Sequence, residues 1–289
     1  MKHVILACSA LFACAPQTAL AQRTKPSLAR KLVENVISVG RYKWRTHQKT
    51  DFSGTTFRNL DIATDRYAFQ IGGKVRDVTI ENARISLRAP TTGGDLPAAV
   101  AVSSSALVQN IVIRDSEFFD FRQVPSDAYP QGDGIDCDSR ATTLLIERVY
   151  SHDNGDGGFD TKCITTFRDT RAERNNWNYR LWGSVTATKI ASADPRRAHI
   201  QTTGGTKATI NGLFASGSTG KPVVSVNKPT EPGHYLRMTN CRYNFSVPTK
   251  VVHGPAKYIK TIELTFDASC APDAKGFAAN TPVTTTSGV

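Results

Sequence analysis

A short phrase of apolar and polar positions recurs along the chain. It consists of an apolar residue, two polar residues that often end in Asn or Asp, and a further strand-like stretch. Copies of the phrase occupy residues 57–62, 80–85, 113–118, 146–150, 167–170, 210–214 and 238–241. Coil lengths of about 22 residues, with additions of about 11, are typical of a parallel β-helix whose longer turns bulge from one side. The pattern therefore predicts an all-β solenoid of this kind.

Asn and Asp at the ends of these phrases suit the left-handed bends and side-chain ladders of solenoid corners. A Rossmann-type fold is excluded because no helical patterns of about 10–15 residues separate the strands. An antiparallel β-sandwich is the remaining alternative, since it also consists of short strands. The recurrence of one phrase favours the solenoid.

Residues 1–21 have the composition of a signal peptide. Lys2 supplies a positive start, residues 4–15 are mostly apolar, and the segment ends in the cleavage motif Ala-Leu-Ala at Ala21. A lipoprotein signal processed at Cys14 is an alternative interpretation. We expect a secreted or periplasmic protein, and no later apolar run is long enough to cross a bilayer.

Three further regions follow the export signal. Residues 22–50 contain an amphipathic helical pattern with Leu28 and Leu32 on one stripe, which predicts a cap over the first coil. A helix lying on a membrane surface is the alternative. Residues 51–270 form the predicted β-helix domain, and residues 271–289, rich in Ala, Thr, Gly and Pro, are predicted to be a disordered tail.

The chain is strongly basic, with 36 Lys and Arg residues against 25 Asp and Glu residues and a formal charge of +11. One of these positive charges, on Lys2, leaves with the signal. Such a charge favours polyanionic partners, although it also serves solubility alone. For an exported protein we expect an acidic polysaccharide rather than nucleic acid, and we expect a monomer.

Four cysteines remain after the export signal, and an oxidising compartment permits disulfides between them. Their spacing matches no zinc motif. Cys241 and Cys270 both lie near the last coils and are predicted to pair. Cys137 and Cys163 share an inward parity but are offset by two residues, so a bond between them requires a bend and stays open.

Residues 133–138 and 157–162 are two versions of one phrase, DGIDCD and GGFDTK. Side chains of a strand alternate between its two faces. If Ile135 and Phe159 point into the core, the charged residues of both phrases point outwards. A step of 24 residues then stacks the two strands in register.

This register places Asp160 beside Asp136 and Lys162 beside Asp138, on strands about 4.8 Å apart. The same alternation on the next two coils turns five more side chains outwards: Asn178, Arg180, Trp182, His199 and Gln201. The sequence therefore predicts one face on which carboxylates lead into cationic and aromatic side chains. A register slip of one residue would remove it.

Neighbouring carboxylates on this face are costly unless one is protonated or a cation lies between them. Asp136 and Asp160, helped by Asp133, Asp153 or Asp156 from the turns, therefore predict a calcium site, because calcium accepts several oxygen ligands in loose geometry. The alternative is that these residues are solvated turn formers, balanced by nearby cations.

Two motifs resemble the calcium-dependent pectate lyases that use a lysine base, a branch of the pectate lyase-like superfamily of right-handed parallel β-helices. Residues 132–134 (GDG) correspond to that family's G-x-D-G phrase, and residues 154–160 (NGDGGFD) to its N-S-D-D-G-[FYW]-D phrase. The likeness extends over residues 57–247 as a repeat pattern. The resemblance implies a right-handed β-helix and three calcium ligands, Asp133, Asp156 and Asp160.

Two positions depart from the family's pattern. Gly157 stands where the family has the second Asp of its pair, so Asp136 or Asp153 is the candidate replacement. The family's lysine comes from a later coil, whereas Lys162 directly follows the ligands.

The chemistry that the resemblance implies is β-elimination from a uronate. A cation or an Arg neutralises the carboxylate, a base removes the adjacent proton, and the 4-linked sugar leaves. Lys162 can be that base only with a bound cation that lowers its pKa. Without the cation, Arg180 or His199 is the better candidate.

We therefore expect a polysaccharide lyase that acts on an acidic polymer such as pectate or alginate. The catalytic candidates are Lys162, Arg180 and His199, and the substrate-binding candidates are Asp138, Asn178, Trp182 and Gln201. A C5-epimerase shares the proton abstraction and is one alternative. A non-catalytic β-helix that binds an anionic glycan or serves as a surface structural protein is another.

Overall fold

The computed structural model describes residues 53–92, 96–124, 131–229 and 231–271. The predicted export signal, the predicted N-terminal cap and the predicted tail beyond residue 271 lie outside these residues. In the part of the chain that is described, no helix has the length and apolar character needed to span a membrane.

Short and long strands alternate along the described chain. In chain order they are β1 (Thr56–Thr64), β2 (Tyr67–Ile71), β3 (Arg76–Leu87), β4 (Ala98–Val102), β5 (Gln109–Phe119), β6 (Asp133–Cys137), β7 (Thr143–His152), β8 (Gly157–Thr161), β9 (Ile164–Glu173), β10 (Trp177–Leu181), β11 (Ser184–Ala193), β12 (Ala198–Gly204), β13 (Lys207–Gly217), β14 (Val224–Pro229), β15 (Tyr235–Thr239), β16 (Arg242–Phe245), β17 (Val252–His253) and β18 (Glu263–Phe266). One short helix, α1 (Ala256–Ile259), lies between β17 and β18.

The strands form two parallel sheets. The ten-stranded sheet has the order β1-β3-β5-β7-β9-β11-β13-β15-β18, with β16 paired to β13, and the eight-stranded sheet has the order β2-β4-β6-β8-β10-β12-β14-β17. The chain passes between the sheets in every coil and winds into a solenoid of about 8 turns. The predicted all-β parallel β-helix is confirmed. The antiparallel sandwich is excluded, because the strand pairs are parallel.

A corner bends each long strand near its middle. Left-handed φ values mark this corner at Asn59, Asn82, Asp115, Arg148, Asp169, Lys189 and Gly212. The same conformation recurs at Asn240, between β15 and β16. Short polar side chains tolerate this conformation better than most residues do. Asn82 Nδ2 also donates to Asn59 Oδ1 at 2.7 Å, one coil away. The predicted role of Asn and Asp at the corners is therefore confirmed, although Arg and Lys occupy two of them.

Two stacked columns of apolar side chains form the core between the sheets. In the ten-stranded sheet the column contains Ile80, Ile113, Ile146, Phe167, Ala187, Ile210 and Met238, and in the eight-stranded sheet it contains Val100, Ile135, Phe159, Tyr179, Ile200 and Val224. All of these residues are buried. Phe159 and Phe167 meet edge to face, with ring centroids 5.4 Å apart. Burial of each large side chain stabilises the fold by about 1.5–3 kcal/mol.

Two disulfides tie the coils together. Cys241 and Cys270 are bonded, with Cα atoms 4.9 Å apart, which confirms that prediction. Cys137 and Cys163, whose pairing the sequence leaves open, are also bonded, with Cα atoms 5.8 Å apart. The bond between Cys137 and Cys163 joins the end of β6 to the short segment that follows β8.

Candidate metal centre and adjoining groove

Four strands of the eight-stranded sheet carry the candidate site on their outer face. Asp136 of β6, Asp160 of β8, Arg180 of β10 and Gln201 of β12 are consecutive partners in the register. Their neighbours in sequence form the buried core column, so these four side chains are directed away from the core. The predicted stacking of Asp160 on Asp136 is confirmed.

Three carboxylates converge beside this column. Asp133 opens β6, Asp156 lies in the turn before β8, and Asp160 is within β8. One carboxylate oxygen of each lies within 4.8 Å of the others, and the residues are only 8%, 2% and 6% exposed. We call these three residues the acidic triad. They are the same three residues that the family resemblance implies as calcium ligands.

Gly157 lets the triad come together. Its N–H donates to Asp133 Oδ1 at 2.6 Å. A β-carbon at position 157 would lie 2.8 Å from that oxygen and 3.2 Å from Asp160 Cβ, so a side chain would force one of them to move. The glycine that departs from the family's motif therefore permits the close approach of Asp133 and Asp160 in this triad.

A buried ladder of asparagines fixes the turn that carries Asp156. Asn154 Nδ2 donates to Asn175 Oδ1 at 2.9 Å, and Asn175 Nδ2 donates to Asn178 Oδ1 at 3.0 Å. Asn178 Nδ2 in turn donates to Ser192 Oγ at 2.8 Å. All three asparagines are fully buried. Buried amides that satisfy one another in this way rigidify a turn, because any movement would leave polar groups unpaired.

Arg180 is held against the triad. Its Nη1 lies 2.8 Å from Asp160 Oδ2 and 3.1 Å from Asp156 Oδ2, and its Nε donates to Gln201 Oε1 at 2.9 Å. The rings of Trp177 and Trp182 lie on the guanidinium at 5.0 and 4.9 Å. Arg180 and the half-buried Trp182 face outwards, as predicted.

Burial and mutual repulsion raise the pKa of the carboxyl groups. For Asp133 and Asp136 burial is the largest cause, followed by the charges of neighbouring carboxylates, and both pKa values lie well above the ordinary range. Burial also raises the pKa of Asp160, although Arg180 and Lys162 oppose the rise. The cations of the site therefore do not fully compensate its carboxylates, and protons or a further cation must do so.

The donor set of the triad fits a calcium ion. Calcium takes about 6–8 oxygen ligands, with carboxylates and water among the usual donors. Arg180 neutralises one of the three triad charges and leaves the others uncompensated. Asp160 Oδ1 is buried and accepts no well-formed hydrogen bond from the described residues. Burial raises the pKa of Asp160, and the Trp182 indole, whose Nε1 is also buried without a partner among these residues, is one of the groups that lower it. Oδ1 is the triad oxygen that a cation would bind. Asp133, Asp156 and Asp160 are the residues that would hold it.

Asp138 and Lys162 each lie two residues after the paired Asp136 and Asp160, and they form an ion pair, as predicted. Lys162 Nζ also lies 5.3 Å from the ring centroid of Trp182. Burial by itself would lower the pKa of Lys162, but the hydrogen bond to Asp138 and the charges of Asp160 and Asp136 outweigh it, and the pKa is raised. Lys162 is therefore protonated at neutral pH while these carboxylates are charged.

Two predicted metal ligands lie outside the triad. The prediction for Asp153 is wrong, because Asp153 does not converge with the triad. Arg174 donates to its two oxygens at 2.9 and 2.7 Å, and His152 Nδ1 lies 2.6 Å away. Burial raises the pKa of Asp153, but these contacts outweigh burial and lower it to about 2. A left-handed φ of 58° turns Asp153 towards these partners. Asp136 pairs with Asp160 in the register but is not among the three converging residues.

Asn178 and His199 are buried, and the prediction that they face outwards is wrong. They are 0% and 1% exposed. Asn178 belongs to the asparagine ladder, and His199 Nδ1 lies 2.8 Å from Ser192 Oγ. Burial lowers the pKa of His199 to about 3, so its imidazole is neutral. Each is the second residue of its strand, where the chain has just left a turn and the alternation of faces is not yet established.

A groove of about 740 Å³ adjoins the triad on the side of the later coils. Its basic lining residues are Arg180, Arg196, Arg197, Lys221, Lys250 and His253, and none of its described lining residues is acidic. Trp177 belongs to the lining as well, and the guanidinium of Arg197 lies 5.0 Å from its ring centroid. We call this feature the basic groove. Gln201, one of the predicted substrate-binding residues, lines it too, but its Oε1 is engaged by Arg180.

The sequence reasoning missed five groove residues, namely Arg196, Arg197, Lys221, Lys250 and His253. Two signals point to them. The outer column of the sheet continues from Gln201 to Ser225 and then to His253, so following the register further leads into the groove. In addition, Glu231 is the only acidic residue in the stretch 195–262, which contains ten Lys and Arg residues.

Comparison of the chain with protein-family models, with curated proteins and with solved structures finds no match. The fold and the geometry of the site are therefore the basis for the functional proposal that follows.

Proposed function

We propose that the protein is a polysaccharide lyase of the pectate lyase-like type, which binds an acidic, uronate-containing polymer and cleaves it by β-elimination. One observation carries the proposal. The buried acidic triad, with Lys162 and Arg180 beside it, adjoins a groove whose charged described residues are all cationic.

The basic groove suits a chain of repeating anionic sugars. Arg197, Lys221 and Lys250 belong to successive coils, which are spaced by about 4.8 Å along the solenoid. All three line the groove, so their charges are distributed along it from coil to coil. A polymer with a carboxylate on each residue can pair with these charges and reach the triad with its next sugar.

Asp133, Asp156 and Asp160 would hold a calcium ion in this proposal. There the ion would supply positive charge that neutralises a uronate carboxylate and acidifies the adjacent C–H bond. An ion held by the triad would thus select for a sugar that carries a carboxylate.

Lys162 is the residue that we assign as proton acceptor. Its side chain is 32% exposed, whereas His199 is buried and Arg180 is engaged by the triad. The proton leaves C5 of the uronate for Lys162 Nζ, the C–H electron pair forms the C4–C5 double bond, and the C4–O bond breaks. The leaving oxygen takes a proton from solvent. Lys162 must be neutral to begin this step, and Asp138 and Asp160 both hold its pKa up.

A panel of polyuronates tests the proposal. The chain is incubated with pectate, alginate and related polymers, with calcium or with a chelator, and the ultraviolet absorbance of the unsaturated product is followed. We expect product with one polymer class in calcium and none with chelator. Lys162→Ala should lower the rate by about 10²–10⁴, the usual contribution of a general base.

Lys207→Ala is the matched control for this experiment. Lys207 is an exposed lysine on the ten-stranded sheet, so its loss should leave the rate unchanged. Absence of unsaturated product from every polyuronate would overturn the lyase proposal. A change in uronate composition without chain cleavage would identify a C5-epimerase instead.

A non-catalytic glycan-binding β-helix is the second candidate. The ion pair between Lys162 and Asp138 favours it, since that pair keeps the assigned base protonated. Retained binding of a polyuronate, measured by affinity electrophoresis, together with a silent activity panel, would establish this alternative.

A further inference from the structure

Arg180 belongs to both the acidic triad and the basic groove. Its Nη1 contacts Asp160 Oδ2 and Asp156 Oδ2, and the same side chain lines the groove. Its Nε is anchored on Gln201 Oε1, which also lines the groove. The guanidinium is therefore located at the boundary between an anionic site and a cationic one.

A divalent cation and the Arg180 guanidinium compete for the same carboxylates. A calcium ion needs several oxygens at about 2.3–2.6 Å, and two of the three triad residues already give one oxygen to Nη1. The two cations would also repel each other within a site that is nearly closed to water, where screening is weak. Asp160 Oδ1, which is buried and accepts no well-formed hydrogen bond from the described residues, marks where a cation can begin to bind.

The surroundings of Arg180 permit it to leave the triad without losing all of its contacts. The flanking rings of Trp177 and Trp182 hold a guanidinium by cation–π attraction rather than by a directed bond. The bond from Nε to Gln201 does not involve the triad. A small movement of the guanidinium would therefore replace its contacts with Asp156 and Asp160 by contacts with anionic groups bound in the groove.

We propose that Arg180 is an exchangeable counter-ion that couples the two sites. Binding of a divalent cation to Asp133, Asp156 and Asp160 displaces the guanidinium from Asp156 and Asp160 and makes it available to a carboxylate in the basic groove. This inference rests on the proposed function for the identity of the ligands. The coupling is reciprocal, so a bound anionic glycan must tighten cation binding by the same factor.

Titration calorimetry with calcium chloride and with trigalacturonate tests the coupling. For the parent chain we expect calcium to raise trigalacturonate affinity by about 5-fold or more, the lower end of typical coupling. In Arg180→Gln, calcium should bind about tenfold more tightly because its competitor is gone, a change of about 1.4 kcal/mol. The coupling between calcium and trigalacturonate should fall in that variant to the part that direct contact between the ion and a uronate carboxylate supplies.

Arg197→Gln is the matched control. It removes a groove cation whose guanidinium packs on the ring of Trp177, so it should weaken trigalacturonate with and without calcium and leave calcium affinity unchanged. If Arg180→Gln does not fold, Arg180→Lys retains the charge without the two-carboxylate contact and should show an intermediate calcium affinity. Unchanged calcium affinity in both Arg180 variants, or equal trigalacturonate affinity with and without calcium in the parent, overturns the inference.

Because both readouts are binding constants, they separate this inference from the lyase proposal. Coupling without cleavage overturns only the lyase, and cleavage without coupling overturns only the role of Arg180.

Discussion

Asp160 lies directly opposite Asp136 in the register of β6 and β8, and both side chains are directed away from the core. Strands in a sheet are about 4.8 Å apart, so the two carboxylates repel each other unless one is neutral or a cation intervenes. Asp133 and Asp156 increase this repulsion. The stability of this face therefore depends on pH and on cations.

Calcium should stabilise the fold at neutral pH much more than at acidic pH. The raised pKa of Asp133, Asp136 and Asp160 means that the folded state keeps protons that the unfolded state has lost above its ordinary pKa of 3.8. The free energy of unfolding of the metal-free chain then falls as pH rises through that window. A cation at about 100 times its Kd restores about 2.7 kcal/mol, which for a domain of this size is about 5–10 °C in Tm. Thermal unfolding with calcium and with chelator, at acidic and at neutral pH, measures this.

The variant Asp133→Asn tests whether the triad is the source of the stabilisation by calcium. The variant removes one charge but keeps an oxygen to accept the N–H of Gly157. It should be at least as stable as the parent without metal at neutral pH, and it should lose most of the calcium shift. Asp153→Asn is the control, because Asp153 pairs with Arg174 outside the triad and its variant should keep the shift. If calcium raised Tm equally in both variants, the assignment of the calcium site to the triad would be wrong.

Asp138→Asn should accelerate the proposed cleavage at a fixed neutral pH. Burial lowers the pKa of Lys162, and the hydrogen bond to Asp138 is the largest of the effects that raise it. Removing that charge therefore increases the neutral fraction of Lys162. In the parent, the rate should rise about tenfold per pH unit in the range well below the pKa of Lys162. Initial rates of the parent and of Asp138→Asn at several pH values measure both effects. If the rate of the parent did not change with pH, Lys162 would be ruled out as the base.

The solenoid and its outer column could be predicted because both depend on local rules. Coil length and the period of two along a strand are enough to place Asp136, Asp160 and Arg180 in one row. The same rules fail at Asn178 and His199. There the chain is leaving a turn, and hydrogen bonds to Ser192 decide where the side chain points.

The choice of partners in the site could not be predicted in the same way. Asp153 precedes Asp156 by only three residues, yet a left-handed φ directs it to Arg174 instead of to the triad. Arg180 reaches Asp156 in the preceding turn as well as its register partner Asp160, and the contact with Asp156 depends on side-chain length rather than on register. The groove joins residues as distant in sequence as Arg196 and His253, which only the stacking of coils brings together.

His199→Gln should reduce the fall in the free energy of unfolding that occurs as the pH drops below about 6.5. The pKa of His199 is lowered by burial to about 3 from 6.5, so below pH 6.5 the unfolded state binds a proton that the folded state does not. Stability is then lost as pH falls from that value, by up to about 1.4 kcal/mol per pH unit. Urea unfolding at about pH 7 and about pH 5 should show a smaller loss in the variant than in the parent, and parallel losses would contradict this account.

The bond between Cys137 and Cys163 should stabilise both the fold and the triad. It closes a loop with a sequence separation of 26, for which the chain-entropy estimate is roughly 3–4 kcal/mol. Cys137 ends the strand that carries Asp133, so replacing both cysteines with alanine should weaken calcium binding as well as lower Tm. The pair Cys241 and Cys270 is the matched control, since its separation of 29 predicts a similar loss of stability. That bond lies in the last coils, so its double alanine variant should bind calcium as the parent does. Equal calcium affinity in both double variants, measured calorimetrically below their Tm, would show that the first disulfide does not help to position the triad.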